Sequence, residues 1–331
     1  MRRLLLLVLV ALLAPATARA AGGVSAFYYP WYGTPGADGA FAHWQQANHD
    51  PPHDIASNYW PARGIYSSSD RLVLGSQMTE IRNAGIDDIA VSWWGRSSPE
   101  DARLRAVATA ARAQGLTVSA HLEPYAGRTV AGTEADIDYL RTLGIWTFYV
   151  YRPFDLPTAD WAAMNDRLKG TGVRVLAQTG LVGQAVAGHF DGVYTYDVLT
   201  YGASSFARLC TEAHAAGLLC VPSVGPGYDA RAASGDQRVK ARRDGATYDA
   251  MWQAAIAAHA DIVTITSYNE WHEGTQIEPA AGRAGYESYE GSWGLTGPAA
   301  ETAYLARTAM WSALYAACTQ LARGLGPLAP S

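Results

Sequence analysis

Short apolar or aromatic runs recur along the chain, and between most of them lie segments whose apolar residues repeat at helical spacing. The runs fall at residues 24–29, 86–93, 117–122, 147–151, 173–179, 192–196, 218–223 and 261–267. Each is short and rich in β-branched or aromatic residues, as a buried strand should be. The segments 98–113, 134–143, 205–216 and 247–259 read as helices, and Gly115, Gly144 and Gly217 stand where three of those helices should end. A last helix is expected across 300–321. Eight strand-then-helix units predict an α/β fold, a single (β/α)8 TIM barrel, in which active-site residues sit at the C-terminal ends of the strands. The spacing is uneven: about 55 residues separate the first two strands, and that long aromatic loop holds Pro30, Pro35, Pro51, Pro52 and Pro61 among tyrosines and tryptophans. No internal repeat or linker divides the chain, so one catalytic domain over 21–331 is expected.

The first twenty residues form a different pattern. Two arginines precede an apolar run from Leu4 to Leu13, and Ala18-Arg19-Ala20 follows as an A-x-A cleavage site. Residues 1–20 therefore read as a signal peptide, cleaved near Ala20, with the rest secreted. The run is short for a bilayer span, so no stable membrane insertion is expected after cleavage. Three cysteines occur. Cys210 and Cys220 are the nearer pair, but the first falls on an expected helix and the second on the next strand, which weighs against a bridge.

Composition changes the picture in one respect. The chain has 331 residues, with 11 Trp and 19 Tyr beside only 6 Phe. A core needing only apolar bulk would use Phe, whereas Trp and Tyr suit surfaces that are apolar on one side and hydrogen-bonding on the other, as sugar sites are. The net charge is −5. Loss of Arg2, Arg3 and Arg19 with the signal would take it to about −8, and no basic excess exists to bind nucleic acid.

The sharpest chemistry follows the eighth strand, in Asn269-Glu270-Trp271-His272-Glu273-Gly274-Thr275-Gln276-Ile277-Glu278. Three carboxylates within nine residues lie at the expected barrel mouth. Neighbouring carboxyls beside an indole can have their pKa values pushed apart, one remaining protonated to donate and one ionised to accept, as glycosidic cleavage requires. Helix capping would explain a single Glu but not Trp271 and His272 between the acids. His272-Glu273 opens like H-E-x-x-H, yet the fifth residue is Gln276, so no metal site and no cofactor are expected. Elsewhere, His121 and Glu123 share one face of the third strand by period-two alternation. Of Trp93 and Trp94, at the end of the second, only one can line the mouth of a regular strand. The first long loop offers Tyr32 and His43 either as aromatic packing or as part of a sugar platform.

The chain resembles the endo-α-1,2-mannosidases and endo-α-1,2-mannanases of glycoside hydrolase family 99. The resemblance is carried by Tyr28-Tyr29-Pro30-Trp31-Tyr32-Gly33, His43-Trp44, Val91-Ser92-Trp93, His121-x-Glu123-Pro124-Tyr125, Asp191-Gly192-x-Tyr194-Thr195-Tyr196, Pro222-Ser223-Val224-Gly225-Pro226-Gly227-Tyr228 and the Asn269–Glu278 block, in order across nearly the whole chain. It implies a metal-free barrel that cleaves internal α-mannosidic linkages of α-mannan or N-glycan oligosaccharides with retention. Glu270 would deprotonate the substrate 2-hydroxyl, which attacks the anomeric carbon to give a 1,2-anhydro sugar, while Glu273 acts as acid and then base. Tyr32, His43, Glu123 and a tyrosine of the Tyr194–Tyr196 strand would line the subsites, with Trp93, Trp94, His121, Asn269, Trp271 and His272 as further substrate-binding candidates. Trp94 stands where bacterial mannanases tend to have Trp and animal enzymes Tyr, which leans toward mannan. The competing readings are a secreted glycan-binding protein of weak turnover and a glycosidase of another linkage on the same barrel.

Overall fold

The computed structural model describes residues 23–324, so the expected signal peptide at 1–20 lies outside the described residues. Eight parallel strands form the barrel: β1 (Val24–Tyr28), β2 (Asp88–Trp93), β3 (Thr117–Leu122), β4 (Thr147–Val150), β5 (Arg174–Gln178), β6 (Gly192–Tyr194), β7 in two halves (Leu219–Val221 and Ser223–Val224) and β8 (Val263–Ile265). Each pairs with its neighbours in sequence order, and β1 pairs with both β2 and β8. Closure falls at Pro222, which has no N–H to give the ladder. The half before it pairs with β6 and the half after it with β8, while its own carbonyl accepts from Thr264 N at 3.0 Å.

Period-two alternation sorts the strand residues into two cores. Phe27, Tyr29, Ala90, Tyr149, Leu176, Tyr194, Tyr196 and Val221 fill the barrel interior. Val24, Ala26, Ile89, Val91, Val118, Ala120, Val175 and Val263 face outward. They meet the ring of helices α1 (Arg71–Asn83), α2 (Pro99–Ala113), α3 (Val130–Thr142), α4 (Thr158–Leu168), α5 (Val182–Ala187), α6 (Ala203–Ala215), α7 (Ala246–Ala257) and α8 (Ala303–Gly324). Helix starts are set locally: Asp70, Ser98 and Thr129 cap α1, α2 and α3 by accepting from first-turn N–H groups. The expected terminators Gly115, Gly144 and Gly217 all take the left-handed backbone that glycine adopts without penalty.

The expectation for the cysteines is overturned. Cys210 on α6 and Cys220 on β7 are bridged, their Cα atoms 5.0 Å apart. Helix α6 packs directly on the strand that follows it and both side chains turn into the shared core, so helix-then-strand placement brings the thiols together. Among the described residues, no helix is long and apolar enough to cross a membrane.

Candidate active site

After β8 the chain leaves the barrel mouth and returns on itself. Ser267 N donates to Thr275 O at 2.9 Å, Ile277 N to Ser267 O at 3.0 Å and Glu278 N to Tyr268 O at 2.8 Å, closing a loop whose base is a short ladder. Glu270 and Glu273 ride on it. Glu270 N donates to Ser267 Oγ, and Glu270 Oε1 accepts from His272 N at 3.0 Å. Glu273 Oε2 accepts from the Tyr196 hydroxyl at 3.1 Å, which lies 2.5 Å from the Tyr29 hydroxyl. The resulting chain of two interior tyrosines ends on one carboxyl.

Burial, then the charge of Glu273, pushes the Glu270 carboxyl well above the usual carboxylate range. Burial is also the main cause at Glu273, whose pKa rises to about 7 with Asp197 and Glu123 adding to it and the Tyr196 hydrogen bond opposing it. Two acids so placed share a proton across the acidic range and titrate as a pair. Beside them, burial lowers the pKa of His272 to about 4 and that of His43 to about 3, leaving both imidazoles neutral.

Strand β3 supplies the opposite wall. Glu123 Oε1 accepts from Ser92 Oγ at 2.8 Å and lies 3.0 Å from His121 Nδ1, and His121 Nε2 meets the Tyr194 hydroxyl at 3.0 Å. His121 and Glu123 thus share a face, as alternation requires. Trp94, 37% exposed, rests its indole N–H on Ser92 Oγ at the mouth. Trp93 corrects the expectation that it binds substrate: it points outward from β2, fully buried, and donates to Asp101 on α2. Adjacent strand residues face opposite sides, and Trp93 took the helix side.

The long first segment supplies a third wall. Trp31 stacks on His43 with centroids 4.4 Å apart and on His272 at 5.6 Å, and His272 Nε2 donates to His43 O. Tyr32 is buried behind this stack, against Trp44, and donates to Asn269 O. Asn269 is buried as well, clasping the Tyr29 backbone through both amide groups. Trp271 donates to Glu278, a fully buried carboxylate that also accepts from Arg63, Gln77 and Tyr66. Tyr32, Tyr194, Asn269 and Trp271 therefore have no exposed surface and support the walls from beneath. Sequence reading passed over Tyr29 and Ser92, although extending the alternation from Phe27 and from Ala90 points both inward. A separate cavity of about 390 Å3 opens at the other end of the barrel, lined by Asp88, Trp146 and Arg174 and remote from the acids of the loop.

A parallel (β/α)8 barrel with paired buried carboxyls and tyrosine hydroxyls at its C-terminal mouth has the make-up of a glycoside hydrolase. The chain belongs to glycosyl hydrolase family 99, whose model matches residues 21–317. It is 33% identical over 312 residues to a glycoprotein endo-alpha-1,2-mannosidase-like protein of Danio rerio, covering 77% of this chain and 70% of the relative. It is 30% identical over 353 residues to the glycoprotein endo-alpha-1,2-mannosidase of Xenopus laevis, covering 87% and 76%. The solved GH99 endo-alpha-mannosidase from Bacteroides thetaiotaomicron superposes with a TM-score of 0.80 at 28% identity, over 89% of this chain and 98% of that one. The protein is an endo-α-1,2-mannosidase-type glycoside hydrolase.

Proposed function

We propose that the protein hydrolyses internal α-1,2-mannosidic linkages of mannan or high-mannose N-glycans with retention, using Glu270 as base and Glu273 as acid. Glu270 takes the proton of the substrate 2-hydroxyl as that oxygen attacks the anomeric carbon. The glycosidic bond breaks, and Glu273 gives its proton to the departing oxygen. The product on the enzyme is a 1,2-anhydro sugar. Glu273, now ionised, then takes a proton from water, the water oxygen opens the strained ring at the anomeric carbon, and Glu270 returns its proton to O2. Both carboxyls end as they began.

The observation that carries this reading is the Glu273 carboxyl, buried beside Glu270, tethered to Tyr196 and protonated up to about pH 7. The base role requires Glu270 to be the ionised member of the pair when substrate is bound, and the His272 N–H it accepts favours that form. Trp94, standing where animal enzymes tend to have Tyr, leans the substrate toward mannan. Secretion after loss of residues 1–20 is part of the proposal, and the Cys210–Cys220 bridge fits an oxidising compartment.

Incubation with an α-1,2-branched mannan, with products followed by NMR, should release oligosaccharides that appear first as the α anomer. Glu270→Gln and Glu273→Gln should each lower kcat by at least about 1000-fold while leaving glycan binding largely intact. Release of single mannose units, initial β product, or unchanged turnover in both variants would each sink the proposal.

A further inference from the structure

Between β7 and α7 the chain makes an excursion in which Tyr228–Asp229 pairs antiparallel with Val239–Lys240. Arg242 closes it. Its guanidinium is buried among three tyrosine rings, 4.7 Å from the centroids of Tyr59 and Tyr289 and 4.6 Å from that of Tyr304. Nη2 donates to Gly274 O at 2.9 Å and to Gln276 O at 2.7 Å, whereas Nε and Nη1 have at most the Tyr304 hydroxyl beside them among the described residues. None of the ion pairs among those residues includes Arg242. A buried cation without a counter-charge is costly, and ring faces recover only part of that cost. The two bonds it does make fall on the carbonyls of Gly274 and Gln276, immediately after Glu273.

The same excursion grips that acid from the other side. Asp229 N donates to Glu273 O at 2.7 Å. Gly274 sits so close that an added Cβ would lie 2.8 Å from Asp229 O, and its backbone is left-handed, so only glycine fits the approach. Tyr289 shares its hydroxyl proton between Gln276 O and Glu278 O, at 3.0 and 2.9 Å. The backbone carrying Glu273 is thus fixed by the excursion and by the tyrosine cage, leaving the side chain free to reach Tyr196 and substrate.

We propose that Arg242 is a positioning residue for the acid step, holding the Glu273–Gln276 backbone so that the carboxyl meets the leaving oxygen. The proposal rests on Glu273 being the acid. An acid displaced by about 1 Å costs on the order of 100-fold in rate, and in the cleavage step that loss falls on leaving groups that need a proton.

The test compares Arg242→Met, Arg242→Lys and Glu273→Gln on an α-1,2-mannan oligosaccharide and on an α-mannobiosyl fluoride, whose fluoride departs without protonation. For Arg242→Met, kcat/KM, which reports only the steps through cleavage of the bond to the leaving group, should fall about 100-fold on the oligosaccharide and less than about tenfold on the fluoride. Arg242→Lys, which keeps a cation and donors, should recover about tenfold of the loss. If Arg242→Met does not fold, Arg242→Lys carries the same two-substrate comparison. A folded variant with kcat/KM on the oligosaccharide within about twofold of the parent, or equal losses of kcat/KM on both substrates, overturns the proposal. Wild-type turnover by Glu273→Gln would overturn the acid assignment instead, so the two failures are distinguishable.

Discussion

At Glu273 catalysis and stability pull in opposite directions. Burial raises its pKa from 4.5 to about 7, so the folded protein binds a proton there over a pH range in which the unfolded chain has released it. The sign follows: the group costs nothing below about pH 4.5, and stability declines as pH climbs toward 7. Glu273→Gln, a neutral isostere, should therefore raise stability at pH 7.5 by about 1–3 kcal/mol and leave it unchanged at pH 4, measured by denaturant unfolding. The acid is lost over the same window, so kcat/KM should decline above about pH 7. A variant no more stable at pH 7.5 than the parent, or an alkaline limb beginning near pH 4.5, would contradict the buried, raised carboxyl. The neighbouring pair Trp93 and Trp94 shows why identity alone misleads at this scale: the same side chain serves helix packing at one position and the barrel mouth at the next.

At the scale of elements, much was legible because each strand is a short apolar run and each helix carries its own stop signals. All eight expected strands are present, and Gly115, Gly144 and Gly217 end their helices as expected. Alternation along β3 was enough to put His121 and Glu123 on one face. What could not be read were contacts between elements distant in sequence. The Arg242 cage gathers Tyr59, Tyr289 and Tyr304 from three separate segments, and three of the donors to Glu278, namely Arg63, Tyr66 and Gln77, lie about two hundred positions away, so no local pattern marks either. The cysteine bridge failed for a related reason: helix-on-strand packing, not sequence spacing, brings α6 and β7 together. Its two cysteines are 10 residues apart, and closing a loop of that size stabilises a protein by about 2–4 kcal/mol. Reduction, or the double change Cys210→Ala and Cys220→Ala, should lower Tm by several degrees and leave kcat within about twofold, since the bridge faces the helix layer and not the mouth. An unchanged Tm would mean that the packing of α6 on β7 needs no covalent tie.

For the whole molecule, charge decides what class of polymer the mouth admits. The chain has a net charge of −5, and four carboxyls gather at the mouth, where Glu123 raises the pKa of both Glu270 and Glu273 and Asp197 that of Glu273. An anionic glycan would be repelled both by the molecule's field and by the mouth itself. A neutral mannan meets neither obstacle, and its hydroxyls suit the Tyr196 hydroxyl and the carboxyls while its apolar face suits the exposed Trp94 ring. Electrostatic attraction between charged partners weakens steeply as the Debye length shrinks from about 10 Å at 0.1 M salt to a few ångströms near 1 M. Binding of an uncharged sugar has no such dependence. KM on an α-mannan oligosaccharide should accordingly stay within about twofold between 50 mM and 500 mM salt at fixed pH. A KM that rises about tenfold over that range would mean that the substrate carries negative charge and that cationic side chains outside the acid cluster draw it in.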